Sequence, residues 1–281
     1  MPDKADLTIA TWNINSVRLR IGLVERFLAE FAPDVLCLQE IKCTDDRFPT
    51  GPFRALGYDA VAVNGQRGYH GVATVSRVPF DNVEKRGFCD RGDARHLATT
   101  LSPPGAAAPI TLHNLYVPAG GEEPDPEVNE KFAHKLAFLD ELARCFSDGT
   151  GLTAHRMLVG DLNVAPLATD VWSHRQLLHV VSHTPVEVEK LDLARVAGDW
   201  IDIVRDHVPP EEKLYTWWSY RARDWRASNR GRRLDHIWVS PPLRARSSGV
   251  TVVDAARGWD LPSDHVPVLA RFDLGRRPAA A

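Results

Sequence analysis

The chain has 281 residues, 44% of them hydrophobic and 25% charged, a composition ordinary for a soluble globular protein. Its formal net charge of −3 excludes a globally basic nucleic-acid binder but allows a local basic face, because steering depends on where charge sits. Cys37, Cys43, Cys89 and Cys145 lack CxxC spacing, Asp3, Lys4 and Asp6 interrupt any signal-peptide pattern, and no apolar run reaches the ~18 residues of a membrane span; a cytoplasmic, reduced, membrane-free protein is expected.

Along the chain, strand-like runs rich in Val, Ile, Leu and Thr are expected at 7–12, 34–39, 58–63, 72–76, 96–101, 110–116, 156–160, 234–239, 250–253 and 266–272. Between them lie three apolar stripes at helical spacing, read as core faces. The first runs through Val17, Ile21, Val24, Leu28 and Phe31, and the second through Val128, Phe132, Leu136, Leu139, Leu142 and Phe146. The third, through Val188, Leu191, Val196, Trp200 and Val204, is less regular. "SPPGAAAP" at 102–109 reads as a hairpin loop, and the tail from Gly275 as a frayed end. With no internal repeat and no long linker, one domain over 1–281 is expected, its core at about 7–272. Strands outnumber helices, which predicts mixed α/β sheets with helices outside.

The chemistry gathers at strand ends. "LTIATWNIN" delivers Asn13 and Asn15, "DVLCLQE" Glu40, "TLHNLYVP" Tyr116 and "MLVGDLNVAP" Asp161 and Asn163. "RRLDHIWVS" carries Asp235 just inside a strand, and "PSDHVPV" carries Asp264 and His265 just before one. Any one of these polar residues could simply start a turn. Together, Glu40, Asp161, Asp235 and Asp264 would converge if their strands share a sheet edge, and like-charged carboxylates in one pocket need a cation. Oxygen ligands suit Mg²⁺ or Mn²⁺, and no Cys/His spacing for zinc is present. Asp161 and Asn163 are two apart, so on an extended backbone both point to one face. Ser263, Asp264 and His265 are the residue types of a hydrolase triad, but consecutive residues of an extended segment diverge, and no GxSxG elbow surrounds Ser263. Its hydroxyl is expected to serve a turn or cap.

Seven segments, "TWNINSVRLR", "DVLCLQEIK", "GYHGVATVS", "NLYVP", "GDLNVAP", "NRGRRLDHIWVS" and "PSDHVPV", occur in the order in which they stand in the exonuclease III family of apurinic/apyrimidinic (AP) endonucleases, and the chain resembles that family over about 7–272. The resemblance implies a four-layer α/β sandwich of two packed mixed sheets with helices outside. It also implies Mg²⁺-dependent hydrolysis of duplex DNA on the 5′ side of abasic sites, with 3′-to-5′ exonuclease and 3′-end trimming, by a monomer. It makes Glu40 a metal ligand, with Asn13, Asp161, Asn163 and Asp264 around the same ion, Mn²⁺ being a substitute for Mg²⁺. Asn13 orients the catalytic Asp, Tyr116 contacts the phosphate, and Asp235 pairs with His265. Asp161 is the expected base, with Asn163 beside it; the alternative, His265 as the base, stays open at this stage. A phosphatase acting on a lipid or nucleotide phosphate is the competing reading.

For DNA, "TWWSYRARDWRASNRGRR" at 216–233 interleaves Trp217, Trp218, Tyr220 and Trp225 with six arginines, a pattern that suits stacking and phosphate binding as well as it suits a solvated loop. The resemblance places Trp217 and Leu234 near the pocket for the abasic sugar and Arg67 and Tyr69 in a loop touching the duplex. Arg18, Arg221, Asn229 and Arg232 are also expected to contact DNA, while Arg91 and Arg95 would meet phosphates or form structural ion pairs. Two positions depart from the family pattern. Ala119 stands where many relatives carry an amide, and Arg232 where some carry an aromatic wall of the sugar pocket.

Overall fold

The computed structural model describes residues 6–222 and 224–275; Arg223 and the tail residues 276–281, expected to fray, lie outside them. In chain order the strands are β1 (Asp6–Asn13), β2 (Val35–Gln39), β3 (Ala60–Asn64), β4 (Val72–Ser76), β5 (Phe80–Lys85), β6 (His96–Leu101), β7 (Ile110–Tyr116), β8 (Arg156–Asp161), β9 (Ile201–Asp202), β10 (Trp217–Trp218), β11 (Gly231–Arg232), β12 (Asp235–Val239), β13 (Ser247–Val252) and β14 (Val268–Asp273). One six-stranded sheet has the order β13-β14-β1-β2-β4-β3, the other β5-β6-β7-β8-β12-β9, and β10 and β11 form a separate ribbon. β1 runs parallel to β2 and β7 to β8, whereas the remaining pairings are antiparallel, so both sheets are mixed.

Period-two alternation sorts the side chains into layers. Leu7, Ile9, Val35 and Cys37 of the first sheet share a buried core with Leu112, Met157, Val159, Ile237 and Val239 of the second. Their chain neighbours Ala10, Trp12, Leu36 and Leu38 point the other way, onto Val24, Phe27 and Leu28 of the helix Ile21–Phe31. Behind the second sheet, Leu115, Leu158 and Trp238 pack on Phe138, Leu139 and Leu142 of the helix Glu130–Phe146 and on Leu191 and Ala194 of the helix Pro185–Ala197. Helix, sheet, sheet and helix stack as the four-layer α/β sandwich that the family resemblance implied.

Local chemistry sets the ends of these helices. Asn129 caps the helix at Glu130 by accepting from Lys131 N. Thr184 and Glu187 form a capping box ahead of Pro185. The third apolar stripe does not form one helix. Gly198 ends the helix at Ala197, Val196 is exposed, and Val204 belongs to a separate short helix, Ile203–His207. The short edge strand β5 was not expected either. "FDNVEK" lacks alternation because its side chains after Phe80 face solvent, and it is ordered by its ladder with β6 and by Phe80 packing beside Val72 and Leu97.

The same alternation aims the polar strand ends. Asn13 continues the inward row Leu7, Ile9, Thr11; Tyr116 continues Leu112 and Asn114; Asp161 continues Met157 and Val159; Asp235 precedes Ile237 and Val239. Register aligns them at one end of the sandwich, for Asn13 is opposite Gln39, Tyr116 opposite Asp161, and Asp161 opposite Asp235. Just beneath, a buried polar layer ties the sheets together. Gln39 Nε2 donates to Thr11 Oγ1 at 3.0 Å and to Asn114 Oδ1 at 2.8 Å, and Asn114 Nδ2 donates to the Ala73 carbonyl at 2.9 Å.

Candidate active site

Asp161 ends β8 against a backbone that only glycine permits. Gly160 has φ 141°, and a Cβ there would stand 1.9 Å from the Leu115 carbonyl oxygen. After Asp161 the chain does not stay extended. Asn163 has φ 54° and meets Asp161 through a tight turn, its N donating to Asp161 Oδ1 at 3.0 Å and its Nδ2 to Oδ2 at 3.2 Å. The expected two-residue spacing thus brings the pair together by a left-handed residue rather than by strand parity. Asn163 Nδ2 also donates to the Val117 carbonyl at 2.8 Å, which fixes the amide.

Asn13 bridges the two sheets. Its Nδ2 donates to Asp161 Oδ2 at 2.9 Å and to Glu40 Oε1 at 3.0 Å, while its Oδ1 accepts from Asn15 N at 3.0 Å. The amide therefore orients both acids, and its oxygen is turned toward Asn15. Glu40 follows β2 at φ 49° and also accepts from the Tyr116 hydroxyl at 2.8 Å. Burial would raise the Glu40 pKa, but Lys42 Nζ at 2.8 Å and then these hydrogen bonds hold it below the ordinary carboxylate range. Burial, then Glu40 and Asp161, push the Tyr116 phenol well above its usual value, so it remains a donor.

His265 stands across from Asp161. Its Nδ1 lies 2.8 Å from Asp235 Oδ2 and its Nε2 3.6 Å from Asp161 Oδ2, too long for a hydrogen bond. Thr216 Oγ1 donates to Asp235 Oδ2 at 2.6 Å and accepts from the backbone N of Leu234 and Asp235. Burial alone would favour a neutral ring, yet Asp235, and then Asp161, hold the His265 pKa at about 10. The ring is an imidazolium at neutral pH, with Nδ1–H on Asp235 and Nε2–H facing the gap. Burial raises the Asp161 carboxyl to about 7, His265 opposing and Asp235 adding to the shift.

Ser263 and Asp264 do not form a triad with His265. Ser263 Oγ donates to the Asn13 carbonyl at 2.7 Å and accepts from His265 N at 3.2 Å, pinning this segment to the end of β1. Ser263→Ala is expected to cost about 1–3 kcal/mol in urea denaturation, because a buried carbonyl loses its donor, and to leave cleavage rates near wild type; a large rate loss in a folded variant would give the hydroxyl a part in the chemistry. Asp264, expected beside the metal, accepts from Trp217 Nε1 at 2.9 Å and Asn15 Nδ2 at 3.1 Å. In this structure it braces Trp217 and stands outside the Asp161–Asp235–His265 group.

The donor chemistry fits a hard divalent cation. Glu40 and Asp161 converge on one amide nitrogen, and Asp161, Asp235 and His265 each bring one ligating atom within 4.8 Å of one another. Asp235 Oδ1 is buried without a hydrogen-bond partner. Among these groups the imidazolium is occupied by its proton, which leaves carboxylate oxygens as the ligand type, the set that suits Mg²⁺ or Mn²⁺.

Three contributors were not visible in the sequence reading. Thr216 orients Asp235, and Lys42 pairs with Glu40. Lys135, fully buried, forms an ion pair with buried Glu187 and donates to the Asn163 carbonyl at 2.7 Å. Lys135 falls between stripe positions of a core helix, and its partner is 52 residues away, so no local spacing marks it.

The residues expected to touch DNA divide by exposure. Arg18, Arg67 and Tyr69 are exposed, and Arg221 is exposed beside Glu122. Trp217 adjoins His265 through a β-bridge, the Arg232 guanidinium lies 5.2 Å over its ring, and buried Leu234 clusters with it. Arg232 Nη1 also donates to Ser182 Oγ at 2.7 Å and the Val181 carbonyl at 2.9 Å. Asn229 caps the short helix Trp225–Ser228 at φ 42° and accepts from Trp218 Nε1. Arg91 pairs with Glu130 at the surface, whereas Arg95 is buried, bound to Asp93 at 3.0 Å and to the Tyr116 carbonyl at 3.3 Å. For Arg95 the structural ion pair is present.

Comparison with known proteins matches this geometry to a family. A family model described as endonuclease/exonuclease/phosphatase matches residues 10–265. The exodeoxyribonuclease III of Haemophilus influenzae is 29% identical over 269 residues, covering 93% of this chain and 98% of that protein. An AP endonuclease structure from Archaeoglobus fulgidus superposes with a TM-score of 0.86 at 30% identity, covering 95% of this chain and 99% of the other. A 3′ phosphatase from Neisseria, solved with a product DNA hairpin, gives a TM-score of 0.84 at 31% identity over 95% of this chain and 99% of its own.

Proposed function

The chain belongs to the endonuclease/exonuclease/phosphatase family, and from that premise we propose that it is an exodeoxyribonuclease III-like DNA repair nuclease. It cleaves duplex DNA on the 5′ side of abasic sites, leaving a 3′-hydroxyl, and trims blocked 3′ ends. The observation that carries this reading is the His265–Asp235 pair facing Asp161 across 3.6 Å at the sandwich end. A phosphate oxygen entering that gap meets a charged Nε2–H on one side, and an attacking water meets a carboxylate on the other. The relatives' names support DNA as the substrate, as do the exposed Arg67 and Tyr69 and the Arg232–Trp217 stack beside His265.

Each residue then has a part. Asp161, with a pKa raised to about 7, is matched to accept a proton from water near neutral pH, which supports it over His265 as the base. Asn13 and Asn163 hold Asp161 in place, and the Tyr116 hydroxyl holds Glu40. Asp235 keeps His265 charged and oriented. Glu40 and Asp161 would hold Mg²⁺, or Mn²⁺ in its place, and the bound ion supplies positive charge against the five-coordinate phosphate. In an assay with an abasic duplex, cleavage is expected in Mg²⁺, its loss in EDTA, and its return on re-addition. Turnover of an inositol phosphate without turnover of the duplex would move the protein to the phosphatases of the family.

A further inference from the structure

The segment after Asp161 leaves the sheet, and its consecutive carbonyls at Asn163, Val164 and Ala165 are each met by a buried side chain. Lys135 Nζ donates to the first at 2.7 Å, His236 Nε2 lies 2.9 Å from the second, and His183 Nδ1 lies 2.6 Å from the third. These groups stand 28, 72 and 18 residues away in the chain. They come from the helix Glu130–Phe146, from β12 and from the segment leading into the helix Pro185–Ala197. His236 follows Asp235 on β12 and so points to the opposite face of the sheet.

A carbonyl oxygen only accepts, so the geometry places the protons on both rings. His236 carries one on Nε2, and its Nδ1 accepts from Arg233 Nη1 at 3.1 Å, because a guanidinium has no acceptor to offer. Arg233 is itself clamped by Asp170 at 2.8 and 3.0 Å and by Asp202 at 2.7 Å. His183 carries its proton on Nδ1, and its Nε2 lies 2.8 Å from His174 Nδ1. Burial draws the His183 pKa below the ordinary histidine value, against the opposing Ala165 carbonyl, so the ring is neutral and its Nε2 accepts from His174. Both imidazoles are thus held in one tautomer by a neighbour on their far side. The chain they hold is the turn at Asn163, where φ is 54°, a region that a non-glycine residue enters at a cost. From that conformation Asn163 N and Nδ2 reach Asp161 at 3.0 and 3.2 Å. Any donor, water included, would satisfy a buried carbonyl. A side chain locked in place also fixes where the carbonyl stands, and three such points on successive residues define the path of the turn.

We propose that His183 and His236 are positioning residues for the hydrolysis: with Lys135 they hold the Asn163 turn in the shape that keeps Asp161 aimed at the attacking water. The inference rests on the nuclease reading above and adds to it two residues that act through Asn163. The test is steady-state cleavage of an abasic duplex, each variant being assayed below its unfolding midpoint. His236→Leu and His183→Leu are each expected to lower kcat about tenfold with KM unchanged, the worth of one hydrogen bond. Amides separate the placement of a donor from mere polarity, since glutamine puts an N–H near the site of Nε2 and asparagine near that of Nδ1. His236→Gln and His183→Asn should therefore recover kcat to within about threefold of wild type, while His236→Asn and His183→Gln should not. The preferred amide reverses between the two sites, which a merely structural role would not produce, and this comparison stands where a leucine variant does not fold. In an Asn163→Ala background either leucine substitution should cost less than about twofold further, because effects that pass through one shared residue do not add. Folded leucine variants with wild-type kcat, the same amide preferred at both sites, or a full further loss in the Asn163→Ala background would overturn the positioning role while leaving the nuclease standing. A wild-type protein that cleaves no duplex would overturn the nuclease reading and the positioning role with it.

Discussion

His265→Gln is expected to slow single-turnover cleavage of an abasic duplex by about 10²–10⁴-fold, and Asp161→Asn by at least as much. Glutamine fills the space and keeps a donor but cannot carry the positive charge that Asp235 and Asp161 stabilise on the imidazole. That charge matters most when the phosphate gains negative charge in the transition state, so the loss should fall on kcat more than on KM. The pH profile carries the sign of both groups. Activity should rise as Asp161 loses its proton, at or below the value of about 7 that burial sets, because a bound cation favours the carboxylate. It should fall as His265 loses its proton near 10, and Asp235→Asn should move this alkaline limb to lower pH by removing the charge that holds the proton on. A His265→Gln enzyme within a few-fold of wild type would remove His265 from the mechanism.

Lys135→Met is the second large effect expected, and it begins in stability. Lys135 and Glu187 are both fully buried, and breaking such a pair from one side costs about 3–5 kcal/mol because the other charge is left uncompensated. Urea denaturation should show that loss as a lower midpoint. The effect does not stop there, since Lys135 Nζ also donates to the Asn163 carbonyl, and Asn163 is one of the two residues that hold Asp161. In the temperature range where the variant stays folded, kcat is expected to fall while KM changes little. Adding Glu187→Leu should not restore stability fully, because Glu187 also accepts from Ser182 N, Thr184 N and Thr184 Oγ1. A variant with wild-type midpoint and kcat would show that the pair neither supports the fold nor positions Asn163.

These two cases mark the boundary of what the chain reveals about itself. Asp161, Asp235, Tyr116 and Asn13 are legible as site residues because each stands at the end of an apolar strand-like segment and within a segment that resembles the family, and strand ends are a local property of the sequence. His265 is legible through its segment, although its charge is not, for that depends on carboxylates 30 and 104 positions away. The helices at 21–31 and 130–146 follow from their stripes, whereas the third stripe misleads, since period alone does not register the break at Gly198.

Asn163, Asp264 and Arg95 needed the tertiary structure. Asn163 reaches Asp161 through a positive φ that the spacing does not display, Asp264 finds Trp217 and Asn15 instead of the acidic cluster, and Arg95 turns inward to Asp93 and Tyr116. By itself the sequence determined the mixed sheets with helices outside and the row of polar strand ends, because alternation, turn residues and strand length act within a few residues, while the two-sheet sandwich followed from the family resemblance of its segments. Only the tertiary structure decided which acid keeps His265 charged, which amide holds Asp161 and which lysine lies buried behind them, because electrostatic and hydrogen-bond partners are selected by distance in space, and the folded sheets set that distance.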